Sequence, residues 1–193
     1  MLRGFALPFE RALAVGVSAV AAAAPFRHMT TPGGYSMSVA MTNCGALGWV
    51  SDPTGYRYSP TDPDTGAPWP ALPAAFAELA RDAAEALGFA GFVPDACLVN
   101  RYEPGARLTI HQDKDERDFR EPIVSVSLGV PAVFLFGGLN RKDRPQRVPL
   151  EHGDVVVWGG PARLRYHGVA KLETSQHPFA GDARINLTLR RAR

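Results

Sequence analysis

The chain has 193 residues, 46% of them hydrophobic, and a formal net charge of +2. That is enough for one domain with a core of its own, and the composition excludes a disordered chain, a collagen-like chain and a disulfide scaffold. The near-neutral charge neither marks nor excludes a nucleic-acid surface. It averages two unlike halves: residues 1–96 hold five basic and eight acidic groups, residues 97–193 sixteen and eleven. The basic excess gathers at Arg141, Lys142, Arg144 and Arg147, and again at Arg184, Arg190, Arg191 and Arg193.

The first element is expected over residues 8–24. Its uncharged ALAVGVSAVAAAA run imitates a secretory apolar segment. Glu10 and Arg11 break the required positive flank, however. Phe9, Leu13, Val17 and Val20 recur at helical spacing, so an amphipathic helix ended by Pro25 is the better reading, in a chain expected to stay in the cytoplasm. Residues 26–70 are rich in turn formers, with one strand-like run at 36–41, and predict a loop-rich lid. A second helix is predicted over 74–87, opened by Pro73, closed by Gly88 and striped by Phe76, Leu79, Ala80, Ala83 and Leu87.

From residue 97 the texture changes to short β runs at 97–102, 107–111, 123–128, 132–136, 146–150, 154–158, 163–169 and 184–190. No helical period lies between them, which predicts a sandwich or barrel. The expected class is therefore α+β, mainly β: two supporting helices and a lid on a β core. Cys44 and Cys97 are too few for a disulfide framework and read as small buried hydrophobes in a reducing compartment.

Two patterns carry chemistry. In His111-Gln112-Asp113 an imidazole and a carboxylate two residues apart project to one side of a strand. With His167 they would complete a two-histidine, one-carboxylate set, the ligand set of non-haem Fe(II) oxygenases. In 184–190 the alternation is strict: Arg184, Asn186, Thr188 and Arg190 share one face, Ile185, Leu187 and Leu189 the other. If the apolar face packs against a second layer, the polar face lines a cavity whose two guanidinium groups suit a dicarboxylate. Asn100 and Tyr102, also two apart, can add hydrogen bonds there.

These residues carry a resemblance. The runs Asn100-Arg101-Tyr102-x-x-Gly105, His111-x-Asp113-x-Asp115, His167 and Arg184-x-Asn186-x-x-x-Arg190 resemble the AlkB family of alkylated-DNA repair dioxygenases. So do Thr31-Pro32-Gly33-Gly34-Tyr35, Met41-Thr42-Asn43-Cys44-Gly45 and the stretch from His152 to Gly160, which are most like the bacterial members. The likeness runs from about residue 26 to 191.

The resemblance implies a double-stranded β-helix, or jelly roll, forming a single dioxygenase domain over 1–193, with helices and a nucleotide-recognition lid in about 1–96 and the catalytic jelly roll in about 97–193. It implies that His111, Asp113 and His167 bind Fe(II), and that Asn100, Tyr102, Arg184, Asn186 and Arg190 hold the co-substrate 2-oxoglutarate. It implies that Trp49, Tyr56, Asp115, Arg141, Thr31 and Met41 meet the substrate or its flanking phosphates. Trp49 and His111 would sandwich a flipped, cationic N-alkylated base, with Asp115 as the matching charge. The implied reaction consumes O2 and 2-oxoglutarate and releases formaldehyde, succinate and CO2. The implied partner is alkylated DNA or RNA met by a monomer without a membrane. Two other classes keep part of the pattern: a hydroxylase of a protein or small molecule, and a metal-bearing jelly-roll binding module without catalysis.

Overall fold

A computed structural model describes residues 1–193. The first helix, α1 (Glu10–Ala23), follows one turn of 3-10 helix at Leu7–Phe9. Leu13 and Val20 are buried in the main core, and Val17 and Phe9 pack against it. The apolar stripe expected at the start of the chain is thus a packing face. No helix is long and apolar enough to cross a membrane.

The second helix, α2 (Ala74–Ala86), buries Phe76, Leu79, Ala80, Ala83 and Ala84, the three-and-four spacing of one helical face. Leu87, expected on that stripe, is instead 36% exposed just past the last turn. Gly88 there has φ +88°, and the Phe89 N–H donates to the Ala84 carbonyl while the Gly88 N–H donates to that of Glu85. This left-handed close satisfies carbonyls that a helix end leaves open, and it suits glycine because there is no Cβ to strain.

Twelve strands follow the helical start. β1 (Arg27–Thr30), β2 (Ser36–Gly45), β3 (Gly48–Asp52) and β4 (Gly55–Ser59) precede α2. β5 (Ala96–Tyr102), β6 (Leu108–His111), β7 (Ile123–Gly129), β8 (Ala132–Phe136), β9 (Gln146–Leu150), β10 (Val155–Trp158), β11 (His167–Val169) and β12 (Arg184–Arg190) come after it. The large sheet has the order β1-β2-β5-β12-β7-β10, the smaller β6-β11-β8-β9, and β3-β4 is a separate hairpin.

Alternation decides what lies on each side of the large sheet. Cys97 and Val99, Val124, Val126 and Leu128, and Ile185, Leu187 and Leu189 turn to the side where α1 and α2 pack. Leu98, Tyr102 and Ile123 turn the other way and join Phe134, Val169 and Leu172 in a second core towards the smaller sheet. Two antiparallel sheets with helices against the outer face form the expected jelly roll. Cys44 and Cys97 face each other on β2 and β5, free and buried.

Two expectations change here. Residues 26–70 are not only a lid. β1 and β2 extend the large sheet, with Met41 opposite Asn100 and Cys44 opposite Cys97, so 96/97 is not a boundary between layers. Only the β3–β4 hairpin stands apart from both sheets. The strand expected over 163–169 is also cut short. Gly160–Ala162 form a 3-10 turn, residues 163–166 continue without strand pairing, and β11 starts at His167. The Arg163 and Arg165 amide N–H groups donate back to the Gly160 and Ala162 carbonyls, so they do not enter a ladder.

Candidate active site

β6 and β11 bring the three metal-binding candidates together. His111, the last residue of β6, lies directly opposite His167, the first of β11. Asp113 follows just beyond the strand rather than on it. His111 Nε2 is 3.5 Å from Asp113 Oδ1, and His167 Nε2 is 3.7 Å from Oδ2. One donor atom from each residue lies within 4.8 Å of the others.

Hydrogen bonds outside the triad choose the free nitrogen of each ring. His111 Nδ1 donates to the Thr109 carbonyl at 2.8 Å, and His167 Nδ1 to the Arg165 carbonyl at 3.1 Å. Each neutral ring then carries its proton on Nδ1 and aims an Nε2 lone pair at the carboxylate. This is the outer support that metal-ligating histidines normally have.

Burial lowers the His167 pKa to about 4, against the raising pull of Asp113, so the ring is neutral near pH 7. Burial alone would raise Asp113. The nearby Arg190, His167 and His111 instead hold it well below the ordinary carboxylate range. Two imidazoles and one carboxylate fit a divalent Fe(II) centre with open positions.

Gly168 makes this pairing close. A Cβ there would stand 2.6 Å from the Leu108 carbonyl oxygen and 3.2 Å from Ile110 N, both on the backbone of β6. Gly168→Ala must therefore push β6 away from β11 and His111 away from His167. Overpacking of this kind costs about 1–3 kcal/mol, and the expected result is a lower melting temperature with roughly 10-fold or more weaker Mn(II) binding, as for lost support around a metal. Calorimetric titration with Mn(II) checks it.

β12 supplies the opposite wall. Arg184, Asn186, Thr188 and Arg190 all line the cavity, as their alternation predicts. Asn186 is held fast: its Nδ2 donates to Ser125 Oγ and the Val126 carbonyl, and its Oδ1 accepts from Asn100 Nδ2 and Thr188 Oγ1.

Arg184 is 1% exposed, with Nη2 donating to Ser127 Oγ and its guanidinium 5.0 Å from the centre of the Tyr102 ring. Its Nε and Nη1 are buried without a partner, and no carboxylate of the chain pairs with it. A buried, unpaired guanidinium is costly, and a carboxylate of a bound molecule is the natural complement. The residues present thus fit 2-oxoglutarate as well as Fe(II).

Arg190 is placed differently from the expectation. Its Nη2 lies 2.5 Å from Asp113 Oδ2, and its Nε 3.2 Å from Glu116 Oε1. The guanidinium is committed to two carboxylates of the chain, so a dicarboxylate meets one unpaired arginine, not two.

The cavity between the sheets has a volume of about 810 Å³, within the usual range for ligand sites. All fourteen candidate site residues line it together, among them Thr31, Met41, Trp49, Tyr56, Asp115 and Arg141. Lys142, Arg144 and Arg147 of the basic loop do not.

At the mouth, the Trp49 and Tyr56 rings stack on each other, with centroids 5.6 Å apart and planes 13° apart. Trp49 Nε1 donates to Asp115 Oδ2 at 2.8 Å. The expected aromatic face and carboxylate are therefore already joined.

Sequence reasoning missed Ser125, which lines the cavity, and Ser127, whose Oγ accepts from Arg184, although alternation in Ile123-Val124-Ser125-Val126-Ser127 puts both on one face of β7. It also missed Arg107, Lys114, Glu116 and Trp158, which line the cavity but have no local pattern that distinguishes them.

The description "2OG-Fe(II) oxygenase superfamily" belongs to the family model that matches residues 1–190. The chain is 61% identical over 192 residues to the alpha-ketoglutarate-dependent dioxygenase AlkB of Salmonella typhimurium, covering 100% of this chain and 89% of that protein. The chain belongs to the AlkB family.

An AlkB-family member is an Fe(II)- and 2-oxoglutarate-dependent dioxygenase, and the triad and the unpaired Arg184 fit those cofactors. Among more distant AlkB relatives is the "DNA N(6)-methyladenine demethylase ALKBH1C" of Arabidopsis thaliana. It is 35% identical over 170 residues, covering 75% of this chain and 37% of its own. The solved structure of OsALKBH1 superposes with a TM-score of 0.73 at 33% identity, over 86% of this chain and 83% of that one. The AlkB fold assignment therefore rests on sequence and architecture together.

Proposed function

We propose that this dioxygenase repairs N-alkylated bases, of the 1-methyladenine and 3-methylcytosine type, by oxidative demethylation of DNA, with RNA as a second substrate. The carrying observation is one cavity with the His111-Asp113-His167 set and unpaired Arg184 in its interior and Trp49, Tyr56 and Asp115 at its mouth. Bound Fe(II) and 2-oxoglutarate supply the oxidation of the N-methyl carbon by O2, yielding formaldehyde, succinate and CO2.

The residues of the chain do the rest. His111, Asp113 and His167 hold the metal through two Nε2 atoms and a carboxylate oxygen. Arg184 holds one carboxylate of 2-oxoglutarate, with Asn100, Tyr102 and Asn186 shaping the pocket beside it. Arg190 acts there through Asp113. Trp49 and Tyr56 offer aromatic faces to a base taken out of its stack, an interaction worth about 1–3 kcal/mol per base. Asp115 meets the positive charge that alkylation at a ring nitrogen creates. Thr31 and Met41 complete the pocket wall, and Arg141 holds a flanking phosphate, which positions a strand without reading its sequence. We assign the protein to the cytoplasm, as a monomer, in keeping with its free buried thiols.

The test is incubation with Fe(II), 2-oxoglutarate and an oligonucleotide bearing 1-methyladenine. Formaldehyde release supports the reading; succinate formed only with a peptide or metabolite overturns it. Asp115→Ala sharpens it. Loss of a charge-assisted hydrogen bond of about 1.5–3 kcal/mol is expected to lower kcat/KM on the cationic 1-methyladenine by about 10-fold or more. The neutral ethenoadenine should lose much less. An unchanged ratio between the two lesions would exclude Asp115 from charge recognition.

A further inference from the structure

The β3–β4 hairpin touches more than the mouth of the cavity. Trp49 lies opposite Tyr58 in its ladder, and Tyr56 and Tyr58 are two apart on β4, so all three rings share one face. From that face two donors reach the segment just after the metal-binding carboxylate. Trp49 Nε1 donates to Asp115, and the Tyr58 hydroxyl donates to Glu116 Oε1 at 2.7 Å.

Glu116 is 6% exposed and joins two arginines. Its Oε1 lies 3.2 Å from Arg190 Nε, and its Oε2 lies 3.0 Å from Arg163 Nη2. Both arginines then grip Asp113. Arg190 Nη2 meets the side-chain Oδ2 at 2.5 Å, and Arg163 Nη1 donates to the Asp113 main-chain carbonyl at 2.8 Å. Two carboxylates and two guanidinium groups balance in charge, and the lid reaches the set through a single phenol.

We infer that Tyr58 is a positioning residue for the metal centre: with the buried Glu116 and Arg190 it forms a chain that couples the substrate-facing hairpin to the orientation of the Asp113 carboxylate. A base seated against Trp49 and Tyr56 moves or fixes the hairpin, and the same motion loads or relaxes Glu116, Arg190 and the metal-binding oxygen. Such coupling is reciprocal, so substrate tightens metal binding by the factor by which metal tightens substrate binding. The role of Tyr58 differs from that of Trp49 and Tyr56, because its hydroxyl points into the arginine bracket rather than at a base. This inference rests on the lesion-binding reading for the identity of the substrate, but its link to the metal stands on the Tyr58–Glu116 hydrogen bond and the ion pairs of Arg190 alone.

The test measures Mn(II) binding to the full chain, with 2-oxoglutarate and without turnover, in the presence and absence of the 1-methyladenine oligonucleotide. In the native chain the oligonucleotide should tighten Mn(II) about 5-fold or more, in the range of ordinary coupling between sites. Tyr58→Phe should reduce that factor to below about 2-fold and weaken Mn(II) itself by about 10-fold, the low end for lost outer support of a metal. It should also raise the succinate formed per formaldehyde released.

Glu116→Gln keeps the shape and removes the bridging charge, and should show the same pattern if Tyr58→Phe folds poorly. A drop in melting temperature alone, with Mn(II) affinity and the coupling factor as in the native chain, would mean a structural tyrosine and overturn the inference. If the native chain releases no formaldehyde from the oligonucleotide, the lesion reading fails separately. The Mn(II) affinity of the two variants without oligonucleotide then still decides whether the chain from Tyr58 supports the metal.

Discussion

Asp113→Ala is expected to abolish formaldehyde release and to weaken Mn(II) binding by more than about 100-fold, beyond what loss of a supporting hydrogen bond around a metal produces. The carboxylate is the one anionic member of the set, lying 3.5 Å from His111 Nε2 and 3.7 Å from His167 Nε2. Without it, two imidazoles remain, and a hard divalent cation loses both a ligand and its charge balance.

The same substitution removes the nearer of the two carboxylates on Arg190, leaving Glu116 at 3.2 Å. Breaking a buried ion pair typically costs about 3–5 kcal/mol, so a lower melting temperature is expected too, reduced by the partner that stays. Asp113→Asn separates the two effects. It keeps an acceptor for Arg190 and should retain most of the stability while still failing to turn over. Activity near that of the native chain in either variant would remove Asp113 from the metal site.

Arg184→Met is expected to weaken 2-oxoglutarate binding about 100-fold while raising the melting temperature of the cofactor-free protein. The two signs come from one fact. Arg184 is fully enclosed, with Nε and Nη1 unpartnered, and burial pulls its pKa below the usual arginine value, offset in part by Tyr102. An unpaired buried charge costs several kcal/mol, and an apolar side chain of similar volume avoids that cost. A bidentate pair of charge-assisted hydrogen bonds to a carboxylate, at about 1.5–3 kcal/mol each, is what the substitution removes. Roughly 3 kcal/mol corresponds to about 100-fold in affinity. Thermal denaturation and titration of 2-oxoglutarate into the Mn(II) protein measure both. A fall in melting temperature with unchanged 2-oxoglutarate affinity would show that Arg184 only packs. The expected result makes this arginine a case of stability given up at a binding site.

Much of the site was legible from local spacing. In 184–190 the period of two alone separates the four cavity residues from Ile185, Leu187 and Leu189, because neighbouring side chains on a strand must leave on opposite faces. The same rule explains why Asn100 and Tyr102 line the cavity together, and why Ser125 on its wall and Ser127 behind Arg184 could have been found in the same way. The helices were legible through their three-and-four spacing and their stops at Pro25 and Gly88.

Other features have no local signal. β2 joins the large sheet through β5, a pairing of segments far apart in the chain, and the many turn formers around it made the whole stretch resemble a lid. Arg190 and Arg184 sit on the same face of the same strand. Only the arrival of Asp113 and Glu116 from another segment distinguishes a paired guanidinium from a free one. Tyr58, Glu116 and Arg163 look like ordinary polar residues until folding brings Tyr58 and Arg163 onto the buried Glu116.

The sequence alone marked candidates for a metal and a dicarboxylate, the side of each strand they occupy, and, through its motifs, the AlkB family. Those are matters of residue type and short-range backbone geometry. Only folding shows which arginine stays unpaired, which nitrogen of each histidine faces Asp113, and how the hairpin connects to the Asp113 segment. Those depend on partners brought together by sheet packing, and in a buried, low-dielectric site the partner determines what a charged group can do.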